Sequence, residues 1–178
     1  MTETSTSATD TPFWRFSLNF YRQTGVAEAC IALQDECGVD VNLMLFLLWL
    51  AAGGRQLSAE NIKELDHAVR GWRELTIVPI REVRRKLKAA PTLVDAGKQE
   101  AFRTKIKAIE LEAERLQQEA LYARSRSAPR GSEARPAAAA RANLAAYERM
   151  LGAHFAKDAV DRLVSALAAI KFDDFAAP

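Results

Sequence analysis

Residues 40–54 read DVNLMLFLLWLAAGG, and this stretch decides the fold. Asp40 is an N-capping residue type, Gly53 and Gly54 stop a helix, and between them Asn42 is the one polar side chain in twelve positions. The pattern predicts a helix over 41–52 that is buried on all sides. A membrane span would need roughly 18 or more apolar residues in a row, so the segment belongs to a protein core.

The flanking sequence carries the punctuation of further helices. Upstream, Thr11 caps a helix that begins at Pro12 and runs toward Gly25, and a second helix extends from Val26 to Cys37 and closes at Gly38. If the second is helical, Cys30 and Cys37 share its face with Val26 and Leu33. They then stand roughly 10 Å apart, too far for a disulfide, which makes them buried thiols of a reducing compartment.

Downstream, Ser58 opens a helix with Glu60 in its first turn, and Ile62, Leu65, Val69 and Trp72 fall on one face. Thr76 is expected to cap the next helix, which accepts Pro79 in its first turn and stops at Pro91. A long helix spans about 95–123. Its stripe of Phe102, Ile106, Ile109, Ala113, Leu116 and Ala120 predicts packing along one seam, as an antiparallel partner before a coiled-coil dimer.

The polar segment SRSAPRGSEARP, residues 125–136, is expected to be a disordered loop, and two amphipathic helices follow near 137–151 and 157–170. The face of Val160, Leu163, Val164, Leu167 and Ile170 is expected to cover the seam of the long helix. No stretch alternates apolar and polar residues for long enough to be a strand. The fold class is all-α, a single-domain bundle of seven or eight helices. It divides into a flexible tail over 1–10, a helical core over 11–124, the loop, and a C-terminal helical pair over 137–178.

Composition limits the function. In 178 residues, 49% are apolar and 27% charged, the proportions of a soluble globular domain, and the net charge of +2 demands neither nucleic acid nor membrane. The N-terminal MTETSTSATD lacks the basic and apolar regions of a secretory signal, which points to the cytoplasm. No Gly-rich phosphate loop, Gly-x-Ser-x-Gly elbow or His-Glu-x-x-His pair occurs. His67 and His154 have no catalytic company, and capping explains Asp35, Glu36 and Asp40 more simply than a metal does. No catalytic, cofactor or metal residue is assigned.

One basic run stands out. In VPIREVRRKLKAAP, residues 78–91, Arg81, Arg84, Arg85 and Lys88 form a stripe beside Ile80, Val83 and Leu87. Like charges at that spacing need an offset: the acidic N-terminal segment of the same chain, an acidic partner, or nucleic acid phosphate. An internal role is expected for Arg81 or Arg84, with Lys86 and Lys88 left to solvent or a partner. Trp49 and Trp72, on apolar faces, are expected in the core.

Three segments, FWRFSLNFY (13–21), GVAEACIALQDECGVDVNLMLFLLWLA (25–51) and AVRGWRELTIVPIREVRRKLK (68–88), together resemble a family of short bacterial proteins known only as a domain of unknown function. The resemblance implies no reaction, cofactor or partner. It singles out Gln34, Asp35, Asn42, Trp72, Arg81, Arg84 and Arg85 as polar positions within the pattern, to which the stripe adds Lys88. Either Asp35 or Asn42 ties the ends of the apolar helix to the arginines, or these groups line a pocket for a small anion or acidic peptide. The leading expectation is a non-catalytic interaction or scaffold protein, monomeric or homodimeric. The alternatives are a ligand-binding protein or enzyme with a pocket between helices 41–52 and 77–88, and a weak nucleic-acid binder. Partners would be a protein or an acidic ligand, with nucleic acid disfavoured.

Overall fold

Asp40 and Gly53 bracket the apolar helix in the computed structural model, which describes residues 11–126 and 131–175. The helices are α1 (Pro12–Tyr21), α2 (Val26–Cys37), α3 (Val41–Ala52), α4 (Ala59–Trp72), α5 (Val78–Ala89), α6 (Ala96–Ser125), α7 (Pro136–Leu151) and α8 (Lys157–Ala168). A wide turn over Arg73–Ile77 fuses α4 and α5, so eight segments make seven helical rods in an all-α bundle. The expected tail over 1–10, and residues 127–130 of the expected loop, lie outside the described residues.

Core formation follows from α3, whose residues from Asn42 to Trp49 are all buried. α7 runs against it, with α1, α6 and the C-terminal residues Phe172–Phe175 closing around. Phe13 meets Phe46 edge-on at 5.0 Å and Trp49 at 5.6 Å, while the Trp49 indole N–H donates to the Phe175 carbonyl at 3.0 Å. Asn143 on α7 is fully buried and makes three hydrogen bonds. It accepts from Leu57 N–H at 2.7 Å and donates to the Leu47 and Arg55 carbonyls at 3.1 Å each. No helix is long and apolar enough to cross a membrane among the described residues.

Several local expectations are corrected. Gly25 does not end α1, which stops at Tyr21; its left-handed backbone instead precedes α2. Thr76 caps nothing, because the chain never leaves the helix there, and its hydroxyl donates back to the Trp72 carbonyl at 2.5 Å. The wide turn lies just before Pro79, which has no N–H to give and whose ring would strike the carbonyl four residues back in a regular helix. Loosening one turn lets the rod continue. Cys37 is only half-buried, its thiol pointing at the His154 carbonyl, while Cys30 is buried and both are free thiols.

Two short strands also appear where none was expected. β1 (Arg55–Gln56) pairs antiparallel with β2 (Ser132–Glu133), so the distal end of the expected loop is tethered. Gly131 makes this possible. Its φ is +80°, and a Cβ there would sit 2.1 Å from the Gln56 carbonyl oxygen.

The largest correction concerns α6. Of the predicted seam Ala113 is buried and Ile106 and Ala120 are half-buried, but Phe102, Ile109 and Leu116 are exposed, and the side that α6 buries also carries Glu110, Gln117, Gln118, Leu121 and Tyr122. α8 does not cover the seam: it packs on α2 and α7. The reason is geometric, since α6 lies against the polar entrance of α3 and the arginines of α5, which require polar partners.

Candidate functional site

Two polar layers meet on the inner side of α6. The first surrounds the start of α3, where one Asp40 carboxylate oxygen accepts from the Asn42 and Leu43 N–H groups at 3.0 and 3.4 Å. Its second oxygen accepts from Arg73 at 2.8 Å and from the Gln117 amide. Arg73 also reaches Asp66 at 2.9 Å, and Asp66 binds Arg70. The Tyr147 hydroxyl completes the layer by accepting from Asp40 N–H at 3.0 Å. Burial works against the charge of Arg73, but the Asp40 and Asp66 carboxylates outweigh it and raise its pKa above the usual guanidinium value. Burial, reinforced by Asp40, raises the Tyr147 phenol.

The second layer joins α5 to α6 and α2. Glu110, 5% exposed, is held by Arg81 at 2.9 Å and by Arg84. Arg81 also donates to Glu114 and to Gln34, each at 2.6 Å. Burial would raise the pKa of Glu110, yet the two guanidinium groups pull it below the ordinary glutamate value. Glu114 moves the other way: burial raises it, and its single arginine offsets that only in part.

The candidate residues from the sequence therefore separate. Gln34, Asp35, Arg81, Arg84 and Arg85 converge between α2, α5 and α6, with Arg85 meeting Asp35 at 2.9 Å on an open surface. Asn42 faces α6 and accepts from Gln118 at 2.8 Å. Lys88 is exposed, and Lys86 pairs with Glu82 in water. Of the offsets expected for the stripe, the acidic N-terminal segment supplies Asp35 to Arg85, while the principal partners of Arg81 and Arg84 are Glu110 and Glu114 of α6. The ties to the start of α3 come from Asp40 and Arg73, which sequence reasoning did not place together. One signal was available: Asp66 interrupts the apolar lane of Ile62, Leu65 and Val69, and Arg73 extends that lane.

Most of these groups are paired with one another, while the buried side-chain oxygens of Gln117 and Gln118 have no hydrogen-bond partner. A surface cavity of about 610 Å³ is lined by Gln23, Asp158, Asp161, Arg162 and neighbours, and none of the candidate residues lies in it. His67 is exposed, and His154 stands 3.0 Å from Glu148 on the surface.

The outer side of the α5–α6 pair exposes large apolar side chains among its charges. Phe102 and Ile109 are 56% and 57% exposed, Leu116 is exposed too, and the three repeat every seven residues along one line of α6. Trp72, expected in the core, is 41% exposed; its indole N–H donates to the Ala113 carbonyl at 2.9 Å, which lays the ring beside that line. Leu75, Val78 and Val83 add exposed apolar surface on the α4–α5 rod, and α5 buries no residue at all.

A protein-family model, described as a protein of unknown function, matches residues 12–121 and so takes in the second polar layer, the first apart from Tyr147, and the apolar line. No curated protein and no solved structure matches the chain.

Proposed function

The chain belongs to the DUF2390 family, whose description names no activity, and from that premise we propose that it is a non-catalytic interaction protein working through the outer face of the α5–α6 hairpin. The observation that carries this reading is the division of labour on α6. Glu110, Gln117 and Gln118 face inward and are held by Arg81, Arg84, Asp40 and Asn42, while Phe102, Ile109 and Leu116 face water. A line of exposed large apolar side chains on a helix rich in charge costs solubility unless a partner covers it. A pocket for an anion between α3 and α5 gains no support, because the arginines that would line it are neutralised by Glu110, Glu114 and Asp35.

A photo-crosslinking residue tests the reading in living cells. Placed at Phe102 or Leu116 it should trap a protein adduct of defined mass, and placed at Glu60 on α4 it should trap none. Turnover of a metabolite by the purified chain, lost on changing Arg84 or Asp35, would overturn it.

A further inference from the structure

The apolar line is self-complementary. Phe102, Ile109 and Leu116 lie symmetrically about Ile109, so two antiparallel copies of α6 crossing there would set each Phe102 against the partner's Leu116 position and Ile109 against itself. The charges beside the line obey the same symmetry. Lys98 and Lys105 flank its first half and Glu112 and Glu119 its second, spaced so that Lys105 would face the second copy's Glu112 and Lys98 its Glu119. A parallel arrangement would oppose like charges at every one of these positions.

Small and available groups fit the same geometry. Ala101 and Ala108 lie beside the line and are exposed, which permits close helix approach. Lys98 and Lys105 make no ion pair among the described residues. Glu112 and Glu119 each accept from Arg115, but Glu112 remains more than half exposed and can take a second donor. The overlap from Lys98 to Glu119 is about 33 Å long at 1.5 Å per residue.

We infer that the occupant of this face is a second copy of the chain, docked antiparallel along α6 with its two-fold axis at Ile109. The inference rests on the reading of the hairpin face as the working surface. A closed two-fold pairing buries the line completely and leaves no repeating edge for further growth.

Light scattering and sedimentation of the full chain are the test. The wild type should run at twice the monomer mass of 19.7 kDa. Ile109→Glu should run as a monomer with unchanged helical circular dichroism. Lys105→Glu should raise the dimer dissociation constant roughly tenfold or more, and Lys105→Glu with Glu112→Lys should restore it, since the double change re-creates the pairing in reverse. A monomeric wild type, a dimer indifferent to Ile109→Glu, or a double variant no better than the single one overturns the inference. If the crosslinks from Phe102 then join a different protein, the interaction function stands and only the identity of the partner falls; if they join nothing, both fall.

Discussion

Asp40 closes the N-terminus of the apolar helix with one carboxylate oxygen and holds Arg73, 33 residues along the chain, with the other at 2.8 Å. A single side chain thereby performs a local task that any capping residue could do and a long-range task that needs a charge. The two tasks respond differently to substitution.

Asp40→Asn keeps a capping oxygen and removes the charge, so it should cost about 2 kcal/mol by leaving Arg73 part-buried with only Asp66 to balance it. Asp40→Ala should cost about 1 kcal/mol more, the usual value of a lost N-cap. Urea unfolding of the two variants measures the difference. Equal losses would mean that the capping oxygen contributes nothing, and an Asp40→Asn variant as stable as the wild type would mean that the ion pair contributes nothing.

The arginine stripe should split in the same way. Arg84→Glu places a second acid against buried Glu110 and should destabilise the fold by about 3 kcal/mol or more. Arg85→Ala removes a pair whose members are both nearly half exposed, and should change stability by about 0.5 kcal/mol or less. Binding to DNA or RNA should be absent at physiological salt for both, because the stripe's buried members are already paired. A salt-sensitive affinity lost in Arg84→Glu without a fall in melting temperature would contradict this.

Acid exposes the role of Glu110. Its folded pKa lies below the unfolded value, so its ionised form contributes stability above the ordinary glutamate range, and that contribution is lost as pH falls through the folded pKa. The destabilisation caused by Glu110→Gln should accordingly be constant near neutrality and shrink on acidification below about pH 4.5. A penalty independent of pH down to the acid transition would show that packing, not charge, is what Glu110 supplies.

Gly131→Ala should cost about 1–2 kcal/mol, since a Cβ collides with the Gln56 carbonyl in a left-handed backbone. Loss of amide-exchange protection at Arg55 and Gln56, with the α3 amides unchanged, would localise the effect to the two-strand clasp.

Much of the helical framework was legible because its signals are local. Thr11, Pro12, Asp40, Ser58 and Pro91 act within one turn of the boundary they mark, and each does so in the structure. The side that α6 buries was not legible. Its 102–120 stripe has the spacing of a packing seam, and only the distant chemistry of Asp40, Asn42 and Arg81 draws Gln117, Gln118 and Glu110 inward instead. Thr76 misled for a different reason: a threonine before a proline looks like a helix start, and nothing nearby announces a turn wide enough to keep the helix whole.

The turn over Arg73–Ile77 also sets a clock angle. It takes in about one residue more than a regular turn, so the rod from Ala59 to Ala89 is twisted out of phase with itself by roughly 100° at its middle. That offset lets Ile62, Leu65 and Val69 point at the core upstream while Arg81 and Arg84 point at Glu110 downstream. Deleting Thr76 alone would give a better-bonded helix that can satisfy only one of the two orientations. The surplus residue works as a gear tooth, and the alignment of the arginine face with the rest of the molecule depends on keeping the count.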